Sequence, residues 1–296
     1  MDDQAQNLRE LVKRIKLSEG ASAPARSSSV SRVLAVTSGK GGVGKSNVSV
    51  NLALALAQKG KRVLIFDADL GLANVDVLLG LIPRYSLAHV LTGERELRDI
   101  ITEGPEGIQI IASGSGGAVE LAQLKEAQRE RFIEGLAQLE ALADVIIVDT
   151  GAGITRNTTA FVLAADEVIL VTTPEPTAIM DAYGMIKAVY LEKKNPTIRL
   201  VVNMVSTVRE ARETASKLVI LARRFLNLEI ENMGYIVRDP NMLRAVRAQS
   251  PLMLSHPDSP AAVCVRNLAG KLAHGEDAEG EGNLKNFLSK VVHLFK

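Results

Sequence analysis

The segment Val36-Thr37-Ser38-Gly39-Lys40-Gly41-Gly42-Val43-Gly44-Lys45-Ser46-Asn47 decides the fold of this chain. It contains the phosphate-loop pattern G-x-x-x-x-G-K-[ST], between an apolar strand-like run at Val33–Val36 and a helical stretch at Val48–Ala57. Glycines let backbone N–H groups approach phosphates closely, and the N-terminus of the next helix adds positive partial charge. Lys45 is suited to contact the β- and γ-phosphates, and the Ser46 hydroxyl is suited to bind Mg²⁺. The segment predicts nucleotide binding, with a purely structural glycine loop as the weaker alternative.

The composition fits one large α/β domain or two smaller ones. Apolar residues make up 47% of the 296 residues and aromatic residues only 3%, so small aliphatic side chains must build the core. The net charge of +1 gives no global field that would attract nucleic acid, and we expect none as a partner. The single cysteine, Cys264, excludes an intramolecular disulfide, and its apolar neighbours favour a packed thiol over a nucleophile. The acidic, polar start has no signal-peptide character, so we expect a cytoplasmic protein.

Seven short apolar runs alternate with helical stretches between residues 32 and 273. Each run is nearly continuous and rich in β-branched residues, as expected of strands buried on both faces. The alternation predicts an α/β fold with a doubly wound, mainly parallel sheet, helices on both faces and ligands at the carboxyl ends of the strands. The runs are Val33–Val36, Arg62–Asp67, Ile108–Ala112, Val145–Asp149, Val168–Thr172, Leu200–Asn203 and Tyr235–Val237.

Two of these strands end in carboxylates. The second run leads into Asp67-Ala68-Asp69, and the fourth ends in Asp149-Thr150-Gly151-Ala152-Gly153. Carboxylates at strand ends suit Mg²⁺ and its bound water, and an apolar strand closing on Asp is the Walker B arrangement. The glycines after Asp149 allow the backbone to approach a γ-phosphate and to move when it leaves. For Asp67 and Asp69, exposed aspartates in a turn are the alternative.

A second lysine in the phosphate loop makes a family resemblance specific. Lys40-Gly41-Gly42-Val43-Gly44-Lys45-Ser46 resembles the deviant phosphate loop of the MinD/ParA ATPases. The resemblance implies that Lys40 reaches across the interface of an ATP-bound homodimer to the partner's phosphates. It also implies that Asp69 orients the attacking water, which makes Lys40 and Asp69 the expected catalytic residues. By the same resemblance, Ser46, Asp67 and Asp149 serve the metal.

The base is expected to be adenine. The late strand ends in Asn203-Met204-Val205-Ser206, without the Lys and Asp by which an N-K-x-D motif reads guanine. Asn203 alone is suited to adenine, as in relatives, and Arg238-Asp239-Pro240 resembles the loop that covers it. ATP and Mg²⁺ are therefore the expected cofactors. The expected nucleotide contacts are Gly39, Lys40, Gly41, Gly42, Val43, Gly44, Lys45, Ser46, Asn47, Asn203, Arg238 and Asp239.

Two tails flank the body at 32–273. Residues 1–17 have an amphipathic helical pattern, and 18–31 form a Ser- and Ala-rich linker. Residues 274–283 form an acidic, Gly-rich linker, and 284–296 carry one apolar stripe with lysines beside it. That profile is typical of a helix in a membrane interface, so we expect reversible association with the anionic inner face of the cell membrane. A helix docked on the body is the alternative, which the acidic linker disfavours. The stripe is Leu284, Phe287, Leu288, Val291, Val292 and Phe295.

The amino terminus narrows the resemblance. Asp3-Gln4-Ala5-Gln6-Asn7-Leu8-Arg9 resembles the D-Q-A-x-x-L-R motif of the FlhG (YlxH/FleN) regulators of flagellar number and placement, which are MinD-like. In that family the segment docks on the GTPase FlhF and stimulates GTP hydrolysis. The resemblance also admits flagellar C-ring proteins or a flagellar transcription regulator as partners. The residues implied in the FlhF contact are Asp3, Gln4, Ala5, Leu8 and Arg9.

Three other functions remain open at this point. A division-site MinD would give residues 1–31 no role, and a ParA-like DNA-segregation ATPase would leave residues 284–296 unexplained. A nucleotide-gated scaffold with little turnover is a third alternative. Liposome sedimentation with and without ATP, beside DNA binding, separates the membrane hypotheses from the DNA one.

Overall fold

A computed structural model describes residues 31–69, 74–114, 142–193 and 195–274, and also residues 287, 290, 291 and 294. Its centre is an eight-stranded sheet with the order β3-β4-β2-β5-β1-β6-β7-β8. All neighbouring strands run parallel except β3 and β4, which pair antiparallel at one edge. The strands are β1 Arg32–Ser38, β2 Val63–Ala68, β3 Ile101–Glu103, β4 Gln109–Ile111, β5 Val145–Ala152, β6 Glu167–Thr172, β7 Thr197–Val205 and β8 Glu231–Val237.

The sheet confirms the doubly wound, mainly parallel fold and all seven predicted strands. The eighth strand, β3, was not predicted, because its three residues Ile-Thr-Glu are half-exposed and form no apolar run. The central strands β2, β5, β1 and β6 bury nearly every residue, which is why their sequences are continuously apolar.

Helices cover both faces of the sheet. The helices are α1 Lys45–Ala57, α2 Val75–Leu79, α3 Leu87–Leu91, α4 Arg156–Ala164, α5 Pro176–Glu192, α6 Val208–Leu226, α7 Pro240–Arg247, α8 Leu252–Ser255 and α9 Pro260–His274, with 3₁₀ turns at Leu97–Ile100 and Pro105–Gly107. One face of the sheet packs against α4, α5 and α6, and the other against α1 and α9, so two apolar clusters lie on opposite sides of the strands.

Three described residues near the carboxyl terminus, Phe287, Val291 and Leu294, pack against the body, which differs from the arrangement that the sequence favours. Phe287 is 3% exposed and Val291 is fully buried, and both belong to the apolar cluster under α4 and α5. The Phe287 ring stacks on Phe161 of α4, with centroids 6.3 Å apart and planes at 29°. Leu294 packs partly against the same cluster, and Lys290 is exposed. Apolar burial of Phe287 and Val291 outweighs the separating effect expected of the acidic linker.

Several predicted segments fall outside the described residues. These include the amino-terminal residues up to 30, the membrane-stripe positions Leu284, Leu288, Val292 and Phe295, and residues 70–73 after Asp69. Within the described part of the chain, every helix is too short or too polar to cross a membrane.

Candidate nucleotide-binding site

The phosphate loop connects the carboxyl end of β1 to α1. Gly42 and Gly44 have φ values of +80° and +86°, a region that strongly favours glycine. Because Gly44 is the cap, α1 starts at Lys45, three residues earlier than the apolar pattern predicts. The first N–H groups of α1 and its dipole are thus directed at the loop, which suits an anion. At Gly39, a Cβ would lie 2.1 Å from the backbone oxygen of Asp181, so only glycine lets the loop pass α5.

Lys45 and Asp149 meet at the base of the loop. Lys45 Nζ lies 3.0 Å from Asp149 Oδ1 and 3.4 Å from Ser46 Oγ, and the Lys45 and Asp149 side chains are buried. Ser49 Oγ donates a hydrogen bond of 2.7 Å to the same Asp149 oxygen. The other oxygen, Asp149 Oδ2, is buried and has no hydrogen-bond partner among the described residues. A buried carboxylate oxygen without a partner fits a water ligand of Mg²⁺.

Mg²⁺ therefore fits the donors present at this site. Ser46 offers a hydroxyl at the start of α1, and Asp149 offers its free oxygen. In the described part of the chain, no group of three His, Cys, Asp or Glu side chains is arranged to hold a metal by itself. Mg²⁺ commonly keeps several waters and binds through one or two protein groups plus substrate phosphates. When bound, it would neutralise charge on the phosphate oxygens.

Asp67 shapes the loop after β2. Its carboxylate accepts hydrogen bonds from the backbone N–H groups of Asp69, Asn74 and Val75, at 3.0, 3.0 and 3.2 Å. Burial and the nearby charge of Asp149 raise the pKa of Asp67 to about 7, although the three N–H donors oppose the rise. In the structure, Asp67 thus fixes the path of the chain on both sides of residues 70–73, next to the expected metal position.

Asp69 lies beside the loop that follows β5. A Cβ placed on Gly151 would be 3.7 Å from Asp69 Oδ1, so the carboxylate borders the first glycine after the Walker B strand. The backbone oxygen of Asp69 accepts a bond of 3.3 Å from Ser113 Oγ. Gly153 has a φ of +81°, and its N–H donates to Ser38 O, which ties this loop to the phosphate loop. The chain after β2 and the loop after β5 thus meet at the carboxylate of Asp69.

Lys40 points to the start of α5 within its own chain. Its Nζ lies 3.1 Å from Glu175 Oε2 and 3.1 Å from Thr177 Oγ1. The ammonium is therefore apart from Lys45, whose side chain is buried beside Asp149. The loop carries one buried lysine and one that is accessible from outside.

Asn203 supports the phosphate loop from the end of β7. Its Nδ2 donates a bond of 2.8 Å to Val43 O, and its Oδ1 accepts from the Met204 N–H at 2.9 Å. A Cβ on Gly44 would approach Nδ2 to 2.4 Å, so glycine permits this contact. An amide oxygen has a second lone pair, which leaves Asn203 able to accept from an adenine amino group.

Arg238 and Asp239 lie in different environments, although they are neighbours in the sequence. Arg238 is exposed after β8, and its N–H donates to Val205 O. Asp239 is buried and caps α7 by accepting from the Asn241 N–H at 2.9 Å, and it also accepts from the Ala261 N–H at 3.2 Å. These donors keep the pKa of Asp239 below its usual value, although burial opposes them. The structure thus gives Asp239 a structural contact that the sequence did not indicate.

The structure brings most of the predicted site together at the carboxyl ends of β1, β2, β5 and β7. It adds Ser49, Glu175 and Thr177, which sequence reasoning missed. Ser49 follows Lys45 by one helical turn, so its i+4 spacing was the available signal. Glu175 and Thr177 meet Lys40 only through tertiary folding, and no local pattern marks them. The predicted contacts at Asp3, Gln4, Ala5, Leu8 and Arg9 lie outside the described residues.

The chain is similar to one protein family and to several proteins of known type. The family model ParA, described as "NUBPL iron-transfer P-loop NTPase", matches residues 29–273. The antiactivator FleN of Pseudomonas aeruginosa is 42% identical over 262 residues, which cover 88% of this chain and 93% of FleN. The flagellum site-determining protein YlxH of Helicobacter pylori is 38% identical over 267 residues, which cover 88% of this chain and 90% of YlxH.

A solved structure shares the fold and shows a ligand. The septum site-determining protein MinD from Pyrococcus horikoshii, in complex with Mg-ADP, superimposes with a TM-score of 0.69 at 25% identity. The match covers 85% of this chain and 99% of the MinD chain.

Proposed function

The chain belongs to the ParA/MinD family of P-loop ATPases, and from this membership we propose that it is a dimerising, membrane-cycling switch that regulates the number and placement of flagella. Its activity is ATP hydrolysis, and its cofactors are ATP and Mg²⁺. The observation that carries the proposal is the second lysine of the phosphate loop, Lys40, which is accessible from outside the chain. An accessible lysine there is what an ATP-bound dimer needs to reach across its interface.

The proposed cycle assigns a role to each candidate residue. Lys45, Ser46 and the backbone from Gly39 to Asn47 hold the phosphates and Mg²⁺, with Asp149 behind them. Lys40 stabilises charge on the partner's nucleotide, and Asp69 positions the attacking water beside Gly151. Asn203 and Arg238 are assigned to the adenine. In the proposed dimer, the phosphates of the two bound nucleotides face each other across the interface, and their negative charges repel. A lysine from each subunit would neutralise this charge.

A flagellar role is favoured by the relatives. The proteins at 42% and 38% identity are named as an antiactivator and a flagellum site-determining protein, whereas the septum site-determining protein MinD of Bacillus subtilis shares 30%. A division-site role is the alternative, and it leaves the D-Q-A-x-x-L-R segment without a use. The iron-transfer description of the family model does not transfer, because iron–sulfur clusters need several thiolates and the sequence contains one cysteine.

The proposed domain layout places two functional tails around the ATPase body at 32–273. Residues 1–17 are the segment that stimulates the GTPase FlhF, tethered by a linker at 18–31. Residues 284–296 are the membrane-binding helix, joined by the acidic linker at 274–283. The tether of 14 residues would span about 20 Å as a flexible coil, which lets the first segment act on a partner while the body is elsewhere.

Membrane binding requires the terminal helix to leave the body. Phe287 and Val291 are buried in the cluster under α4 and α5, so they are inaccessible to lipid in this conformation. Helix α4 starts at Arg156, soon after the glycines expected to sense the γ-phosphate. We propose that ATP-driven dimerisation shifts α4 and frees the helix, and that two helices in one dimer bind an anionic membrane with much higher avidity than one.

The testing experiment combines two assays on the purified full chain. Sedimentation with anionic liposomes, with ADP or ATP, should show much stronger membrane binding with ATP than with ADP. A GTPase assay of FlhF with a peptide of residues 1–17 should show stimulation. Liposome binding without stimulation would favour the division-site alternative. DNA binding without liposome binding would favour a segregation ATPase.

A further inference from the structure

A large cavity lies at the amino-terminal end of the sheet, remote from the phosphate loop. Its volume is about 890 Å³, and it is bounded by β7, the edge strand β8, α9 and Lys59, the second residue after the end of α1. Glu231 is the first residue of β8 and Arg199 the third of β7, whereas the nucleotide-site residues follow the carboxyl ends of the strands. The cavity is therefore separate from the ATP site, and its volume falls in the range of small-molecule sites.

The charges that line this cavity are unbalanced. Four cations face it, Lys59, Arg199, Arg266 and Lys271, against one carboxylate, Glu231. Arg199 pairs with Glu167 at 2.8 Å and with Glu231 at 3.2 Å, so that carboxylate is already engaged. Among the described residues, no carboxylate lies within ion-pair distance of the other three cations. Counting only the described residues, the cavity thus has three positive charges without a counter-charge.

Two of these cations are positioned by backbone carbonyls. Lys271 Nζ donates a bond of 2.7 Å to Met233 O, and Arg266 Nη1 donates to Pro257 O. Lys59 reaches toward α9, since a Cβ on Gly270 would lie 4.0 Å from its Nζ. Head groups held in this way lose less conformational freedom when they bind an anion. Tyr235 on the same wall offers an aromatic surface beside the charges.

The edge of the sheet at this cavity does not favour an added peptide strand. The pairing of β8 with β7 shifts between Leu200 and Val201, which leaves Met233 as a bulged residue. Gly234 has a φ of +147°, and Lys271 occupies the carbonyl of Met233. A bulge in the edge strand, and a helix lysine that covers one of its carbonyls, both oppose strand addition. A compact anionic ligand fits these walls better than an extended acidic peptide.

We propose that this cavity is a second binding site, for a phosphorylated metabolite of about nucleotide size. Phosphate groups suit Lys and Arg head groups, and a volume near 890 Å³ exceeds what inorganic phosphate needs. Lys59, Arg266 and Lys271 bind the phosphates, and Tyr235 contacts the remainder of the molecule. The site is independent of the ATPase machinery, so its occupancy is measured with the phosphate loop blocked.

Cys264 gives a local readout, because it is the one cysteine of the sequence and lines the cavity. The experiment measures the rate at which iodoacetamide, a neutral reagent, alkylates Cys264 in the full chain with saturating Mg-ADP. Pyrophosphate and GDP are added as probes at constant ionic strength. We expect saturable protection of the thiol, with GDP effective at lower concentration than pyrophosphate.

Two double variants separate the site from general charge effects. Lys59→Gln with Lys271→Gln should raise the half-protecting GDP concentration by about tenfold or more, since charge-assisted bonds are lost. Lys187→Gln with Lys217→Gln removes two exposed lysines elsewhere and should behave as the unmodified chain. If the first double variant unfolds, Arg266→Gln replaces it, and calorimetric titration of GDP into the ADP-saturated chain should give one further site.

Three results would overturn the proposal. These are no protection by either probe, equal protection in both double variants, or protection by a glutamate-rich peptide at lower concentration than by GDP. The first two would leave the cavity without a specific anion site, and the third would make its ligand a peptide.

Discussion

The ammonium of Lys40 lies 3.1 Å from the carboxylate of Glu175 in the same chain, where both side chains remain open to water. Lys40 is 39% exposed and Glu175 is 64% exposed. Exposed pairs of this kind contribute only about 0–1 kcal/mol, because water screens them and both side chains lose freedom. The contact orients Lys40 without fixing it, so the lysine is available to a phosphate group of another chain.

Replacing Lys40 with alanine tests that availability. Lys40→Ala should leave ATP binding largely intact, because Lys45 and the loop backbone remain. Dimers should be lost, and the ATPase rate should fall about 10³-fold or more, as expected of a charge supplied in trans. Light scattering and phosphate release measure the two effects. The matched control is Lys217→Ala, an exposed lysine on α6, which should change neither. Normal dimers and turnover in Lys40→Ala would make Lys40 an ordinary loop residue.

Removing the carboxylate of Asp69 should trap the ATP state. In Asp69→Ala, the phosphate contacts through Ser46 and Lys45 remain, while the water loses its positioning group. We expect a persistent ATP-bound dimer with only residual hydrolysis, measured by size-exclusion chromatography and phosphate release. Failure of this variant to bind ATP would place Asp69 in the binding shell instead.

Sequence reasoning predicted the features that local patterns encode. The phosphate loop could be predicted because its glycines, its lysines and the flanking strand and helix lie within 25 residues of one another. The buried strands could be predicted because burial on both faces requires a nearly continuous run of apolar residues in each of them. Strand β3 has no such signal, since it is three residues long and lies at the edge.

The contacts that sequence reasoning missed join distant parts of the chain. Lys40 and Glu175 are 135 positions apart, and Ser49 and Asp149 are 100 apart. A single sequence carries no record of such pairings. The docking of Phe287 on Phe161 was the weaker of two alternatives from the sequence, because an apolar helical stripe satisfies a membrane and a protein core equally well.

Asp239 provides a test between two roles, a cap of α7 and a nucleotide contact. Asp239→Ala should lower the free energy of unfolding by about 1–2 kcal/mol, the usual cost of a lost helix cap. ATP affinity should not change, and Asp239→Asn should keep most of the stability because asparagine also caps helices. Denaturant unfolding and nucleotide titration measure the two quantities. A drop in affinity at unchanged stability would restore Asp239 to the adenine site.

The same residue predicts a dependence on pH. The pKa of Asp239 in the folded chain lies below its ordinary value of 3.8, so the charged form stabilises the fold. That contribution is fully present above pH 4 and is lost as the pH falls through the lower folded value. The stability difference between the unmodified chain and Asp239→Ala should therefore shrink in acid.

Gln4→Ala should abolish the stimulation of FlhF without changing the ATPase activity of this chain. The proposed linker at 18–31 separates the two activities physically, so the peptide of residues 1–17 should stimulate FlhF alone. Its alanine-substituted version is the control. If the peptide is inert and the full chain stimulates, the contact lies mainly on the ATPase body. If both are inert, the division-site alternative is favoured.

The stacking of Phe287 on Phe161 predicts competition between the body and the membrane for one apolar stripe. Phe161→Leu removes the aromatic partner but leaves the stripe intact, which weakens docking by about 1 kcal/mol. Liposome binding with ADP should then rise about fivefold, the factor that corresponds to 1 kcal/mol. Phe225→Leu is the matched control, because Phe225 is 63% exposed on α6 and is not a buried member of this cluster.

Phe287→Glu should have the opposite effect and reduce binding to the membrane. A carboxylate is not tolerated in either apolar environment, so the segment should leave the body and also fail to bind liposomes with ATP. The free energy of unfolding should fall because Phe161 loses its cover, while ATPase activity without liposomes should persist. Loss of that activity would mean that the terminal segment is part of the catalytic body. Unchanged liposome binding in Phe161→Leu would mean that docking and lipid do not compete, and the release step would have to be abandoned.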